Sequence, residues 1–114
     1  MIVAAPIDEA DLGQAVESLQ AGGVETVGLA AEIADDRAAG SLIELACSRF
    51  GRGDVLINNA GIAYFEEFLE TPVDHLDRTL DVNVRGTLVM SREVARVMEP
   101  VSPDLPTDLR ENRP

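Results

Sequence analysis

Lysine is absent from this chain: all nine basic residues are arginine, set against 21 acidic residues for a net charge of −12. Such an acidic surface repels phosphate backbones and anionic lipid, so neither nucleic acid nor a membrane surface is an expected partner. Cysteine occurs once, at Cys47, which excludes an internal disulfide. It sits in a helical pattern with Leu42, Ile43, Ala46 and Phe50, and a buried spectator thiol is expected. One histidine, His75, and no cysteine pair give no metal site. Flanked by Asp74 and Asp77 in the first turn of a helix, His75 is expected to be solvated. No apolar run approaches the ~20 residues that span a bilayer. The amino terminus has no basic region leading into an apolar stretch and cleavage site, so a cytoplasmic location is expected. The 114 residues suit one domain. A domain of this size buries only about two-thirds of its unfolded surface, which makes each central element important.

The apolar pattern alternates between short runs and helical stripes. Ile2-Val3-Ala4-Ala5 reads as a strand that Pro6 stops. Asp8 can cap the helix that follows, with Glu9 and Asp11 at the positive end of its dipole. Leu12, Ala15, Val16 and Leu19 recur at helical spacing, and Gly22 with Gly23 ends the helix. Val24 to Leu29 supplies a second strand through its β-branched residues. Asp35 and Asp36 open a second helix with the stripe Ala39, Leu42, Ile43, Ala46 and Phe50, closed by Gly51. Val55-Leu56-Ile57, bounded by Gly53 and Gly61, reads as a strand over 54–57 buried on both faces of a parallel sheet. A third helix starts at Thr71, whose hydroxyl can cap it with Pro72 just inside, and runs to about Met98. Gly86 within it marks a bend or a close packing contact. Beyond Glu99, Pro100, Pro103, Pro106 and Pro114 punctuate charged sequence without periodicity, which predicts a disordered tail over 100–114.

The strand at 54–57 runs straight into Asn58-Asn59-Ala60-Gly61. At the carboxyl edge of an open α/β sheet, helix amino ends and free backbone groups converge on ligands. Gly61, without a side chain, lets a ribose or ring approach the backbone. Asp81-Val82-Asn83-Val84-Arg85-Gly86 follows inside the long helix. Taken together, these two runs in this strand and helix order resemble the short-chain dehydrogenase/reductase family, over roughly residues 2–99. The resemblance implies an α/β fold: a partial Rossmann-type parallel sheet of three strands and three helices over residues 1–99. It implies NAD or NADP as cofactor and hydride transfer between the nicotinamide and an alcohol or carbonyl. In the family's strand order another strand lies between 2–5 and 54–57. Three outcomes are open: closure of the two halves, so that the strands at 24–29, 2–5 and 54–57 lie side by side in that order (3-2-4 in the family's strand numbering), recruitment of another chain by the exposed edges, or a partly molten chain.

By the same resemblance, Asn59, Ala60 and Gly61 line the ribose of adenosine and nicotinamide, mostly through backbone groups; otherwise Asn58 and Asn59 only pair backbone at the strand end. Glu32 and Ile33 fall where the family has an Asp-Val pair contacting adenine, and Glu32 is equally read as a solvent-facing carboxylate. Asn83 stands where the family's catalytic asparagine does, its main chain holding a water in a proton relay; a mid-helix asparagine can also be merely exposed. Pro6, or Ala5, falls where the family tells NAD from NADP, and neither discriminates. Tyr64 is either cleft-lining or, beside Phe65 and Phe68, a packing residue. Glu66, Glu67 and Glu70 read as a solvated face.

The family's glycine-rich phosphate turn, Thr-Gly-x-x-x-Gly-x-Gly, has no counterpart here, and neither has Tyr-x-x-x-Lys. The sequence therefore reads as the middle of a dehydrogenase, from a truncated or frame-shifted reading frame, and inactive as this chain. The alternatives are a non-catalytic module that self-associates or pairs with a full-length paralogue through its open sheet edges, and a gene remnant.

Overall fold

A computed structural model describes residues 8–98, together with the backbone of residues 2–5. The fold is α/β. Strand β1 (Ile2–Ala5) pairs in parallel with β2 (Val27–Ala30), in a register from Ile2 opposite Val27 to Ala5 opposite Ala30. A parallel pair needs a crossover, and helix α1 (Glu9–Ala21) supplies it. Asp8 caps α1 by accepting from the Ala10 amide at 2.8 Å. Its end is closed by Gly22 and by Gly23, whose φ of 79° suits glycine. Strand β2 begins at Val27, later than the β-branched run suggests. Local bonds occupy the lead-in: the Thr26 hydroxyl donates to the Val24 carbonyl, and Gln20 Nε2 donates to the Thr26 carbonyl, each at 3.0 Å.

Gly28 explains how α1 sits on the sheet. A Cβ there would stand 2.8 Å from both Leu12 Cδ1 and Val16 Cγ2, so the apolar face of α1 rests directly on the strand backbone. Successive strand residues face opposite ways. Leu29 accordingly turns to the other side, where it joins the core between α2 (Ala38–Phe50) and α4 (Thr87–Met98). That core is small: Ala39, Leu42 and Met90 are buried, with Ile33, Leu56, Val89 and Val94 among those packed around them. Asp35 opens α2 as a turn rather than as its cap, accepting from the Arg37 amide through Oδ1 at 2.9 Å and from the Ala38 amide through its carbonyl at 3.0 Å. Gly51, at φ 75°, ends the helix. Cys47 is exposed, not buried: it lies beside the Ala39–Leu42–Ala46 stripe rather than within it.

The third expected strand does not form. Residues 54–57 belong to no ladder, and the sheet of the described residues has the order β1-β2, so the halves have not closed into 3-2-4. Strand geometry is completed by a partner's amides and carbonyls, and β1 is already paired with β2 on one side while no described strand reaches 54–57. Leu56 still packs on the core, but Val55 and Ile57 are 79% and 80% exposed.

The expected third helix is one rod in three parts: α3 (Val73–Leu80), a π turn (Asp81–Gly86) and α4. Thr71 does not cap it. Its hydroxyl bonds back to the Glu67 carbonyl at 3.2 Å, closing the short 3₁₀ turn Phe68–Glu70, and the extended Pro72 precedes the first helical residue. Pro6 and the tail over 100–114 lie outside the described residues. Among the described residues no helix is long and apolar enough to cross a membrane, and no group of three or more His, Cys, Asp or Glu could hold a metal ion.

Candidate functional site

The π turn places Asn83 against the loop that follows 54–57. The Ile62 amide donates to Asn83 Oδ1 at 2.8 Å, and Asn83 Nδ2 donates back to the Ile62 carbonyl at 2.8 Å. One side chain thus satisfies both backbone groups of Ile62, as a neighbouring strand would. A Cβ on Gly61 would stand 3.3 Å from Asn83 Oδ1, so the loop backbone passes close over this amide. A second tie anchors the near end of the loop: Asn58 Nδ2 donates to Ser91 Oγ on α4 at 3.0 Å. Between the two ties, Asn59, Ala60 and Gly61 are exposed. Asn83 contributes its side chain to structure and has its main chain in the widened turn, a helix irregularity that recurs at functional sites.

Glu32 and Ile33 are brought to the same rod from the other strand, and neither is a free surface group. Glu32 ion-pairs with Arg78 through Oε2 and accepts from the Ala34 amide through Oε1 at 3.2 Å. The hydrogen bond and charge of Glu32, helped by Tyr64 and Asp81, hold the Arg78 guanidinium more firmly protonated than usual. Ile33 lies beneath Gly86, and its side chain packs on the core. A shallow cleft of about 290 Å³ opens at the carboxyl end of β2, lined by Ala30, Glu32, Asp35, Arg37 and Ser41 among others. In its rim, Arg37 holds the Asp35 carboxyl down to about 2, through its guanidinium first and its backbone amide second. A larger groove of about 510 Å³ between α2 and α4 contains none of the residues expected at the cofactor or in catalysis.

His75 is half-buried, contrary to the solvated position expected for it. Its ring stacks on Tyr64 with centroids 3.9 Å apart and planes 9° from parallel, and its Nδ1 lies 2.6 Å from Glu66 Oε1. Tyr64 therefore packs on a histidine rather than on Phe65 and Phe68, which are exposed, and Glu66 is a partner rather than a solvated charge. Neither Arg78 nor Arg85 was given a role from sequence. The available signal was two arginines one heptad apart on a helix, in a chain whose Glu32, Asp35 and Asp36 crowd a single turn.

A family model of short chain dehydrogenases matches residues 1–103. L-rhamnose 1-dehydrogenase (NAD(P)(+)) of Sphingomonas is 35% identical over 83 residues, covering 73% of this chain and 33% of the relative. Two solved short-chain dehydrogenases superpose well. One, from Burkholderia phymatum in complex with NAD, has a TM-score of 0.80 at 28% identity and covers 85% of this chain and 34% of its own. The other, from Burkholderia cenocepacia in complex with NADP, has a TM-score of 0.78 at 29% identity, with coverage of 85% and 40%. The chain belongs to the short-chain dehydrogenase family. It spans about a third of the length of the curated relative above.

Proposed function

We propose that these residues form the cofactor-facing middle of an NAD(P)-dependent alcohol/carbonyl oxidoreductase fold, with Asn59, Ala60 and Gly61 at the ribose, the turn at Glu32 and Ile33 at the base, and Asn83 as the anchor that holds the first of these in place. The observation that carries this reading is the two-point bond of Asn83 to Ile62, which leaves the amide-rich corner just before it exposed yet fixed. The fit to a dinucleotide is good at two of three places. Exposed backbone at 59–61 and the cleft beyond β2 suit a ribose and a flat base, whereas no glycine-rich turn in the sequence offers amides to the pyrophosphate. When bound, a nicotinamide supplies the hydride acceptor or donor. The chain's own contribution is to bind and orient. With neither lysine nor Tyr-x-x-x-Lys, it holds no group placed to move the substrate proton, a step worth roughly 10²–10⁴ in rate. Purified chain incubated with NAD or NADP and a panel of alcohols is expected to give no cofactor reduction. Turnover that disappears on Asn83→Ala would contradict the inactive part of this reading.

A second reading, a module that self-associates or pairs with a full-length paralogue through its sheet edge, is favoured by one observation. Val55 and Ile57 are exposed on a segment with strand composition and no ladder. Light scattering on a sizing column and co-purification from the native host test it; a clean monomer that captures no dehydrogenase would count against it.

A further inference from the structure

We infer that Arg78 and Arg85 are positioning residues that grip the turn 32–36 from the helical rod and neutralise it, setting the surface that meets the base of a nucleotide. The ligand in this inference rests on the function proposed above; the grip rests on geometry alone. Arg78 takes one oxygen of Glu32, and the other accepts from the Ala34 amide at 3.2 Å. Arg85 pairs with Asp36 and also donates from Nη1 to the Ala34 carbonyl at 3.1 Å. Next to it, Gly86 admits the Ile33 carbonyl to 2.9 Å from where a Cβ would stand. Four of the five residues of the turn are thus touched by one helix. The turn also closes on itself: the Asp35 amide donates to the Glu32 carbonyl at 2.8 Å, Asp35 accepts from the Arg37 amide at 2.9 Å and from the Ala38 amide at 3.0 Å, and the Arg37 guanidinium covers its carboxylate.

Charge makes the arrangement more than a brace. In a chain with 21 acids and nine arginines, each of the three carboxylates of this turn, Glu32, Asp35 and Asp36, has its own arginine. A turn left with three bare carboxylates would repel a phosphate-bearing ligand; this one presents balanced charge beside the cleft. Exposed ion pairs taken singly contribute little. Here they act on the same short backbone as a main-chain hydrogen bond and a packing contact, so their effect is local order.

Amide hydrogen exchange on the full chain tests the grip, with Arg78→Gln, Arg85→Gln and Arg78→Lys compared with wild type. Exchange at Ala34 and Asp35 is expected to quicken about tenfold in either glutamine variant, while Val16 and Leu19 of α1 keep their rates and Arg78→Lys falls between. Unchanged rates in the turn, or equal acceleration at Val16 and Leu19, would overturn the inference. Titration with 5′-AMP is the second arm: the wild type is expected to show a saturable shift at Ala34, weakened several-fold in Arg78→Gln. AMP that shifts no amide of the wild type overturns the base-end assignment, whereas exchange indifferent to both arginines overturns the grip, so the two failures are told apart.

Discussion

Gly86 lies against Ile33 with no room for a side chain: a Cβ there would be 2.9 Å from the Ile33 carbonyl oxygen. Backbone cannot swing aside as a flexible side chain can. Gly86→Ala is therefore expected to destabilise by about 1–3 kcal/mol, even though alanine gains about 1 kcal/mol in helix propensity. Gly13 and Gly40, also helical, have nothing within 4 Å of their Cβ positions. Alanine at either is expected to stabilise by about 0.5–1 kcal/mol. Denaturant unfolding of the three variants checks the opposite signs.

Asn83→Ala removes both bonds to Ile62 and is expected to cost about 1–2 kcal/mol. Asn83→Asp is the sharper variant, because it keeps an acceptor for the Ile62 amide and sets a second acceptor against the Ile62 carbonyl. It should stabilise no better than alanine. Thermal melts rank them, and restoration of wild-type stability by aspartate would show that the second bond is immaterial.

Among the described residues, Leu42 shares its core with two other buried members, Ala39 and Met90, so Leu42→Ala is expected to cost about 2–4 kcal/mol. Leu88, 64% exposed on the same rod as Met90, serves as the control. Its alanine variant should fall within about 0.5 kcal/mol of wild type. Urea midpoints at a common slope make the comparison.

Asp35 carries the clearest pH signature. Its carboxyl, held at about 2 in the folded chain, titrates near 3.9 when unfolded. Because the folded value is the lower one, Asp35 adds stability above about pH 4, and that contribution is lost as pH falls from there through 2. It is modest, since the Asp35 and Arg37 side chains face water. Carboxyl NMR should find the midpoint near 2, and Arg37→Ala should raise it part of the way to the ordinary value, because the residue 37 amide still donates to Oδ1. An unmoved midpoint would assign the shift to the turn backbone instead.

Helices were legible because their signals are local. Asp8, the Gly22-Gly23 pair, Gly51 and the Leu42 stripe each act within a turn or two of the chain, and each lies where its pattern implies. Strand 54–57 was legible as composition and not as structure, since a strand exists only through its neighbours and β-branched residues cannot supply a missing ladder. Asn83 beside the Asn58–Gly61 run was legible through family spacing, but its bond to Ile62 was not, because a mid-helix asparagine carries no sign of what it faces. The ion pair of Glu32 was hidden for the same reason: its partner Arg78 is 46 residues away. Thr71 shows the limit of local rules as well, a good cap residue taken up by the preceding turn.

Asn83 is proposed to fix the corner at 59–61 for a dinucleotide. Amide shifts followed while NAD is titrated into the wild type and into Asn83→Ala test it most directly. Saturable shifts are expected at Ala60, Gly61 and Ile62 in the wild type, with weaker and scattered ones in the variant. Shifts confined to other parts of the chain, or identical in both proteins, would contradict it.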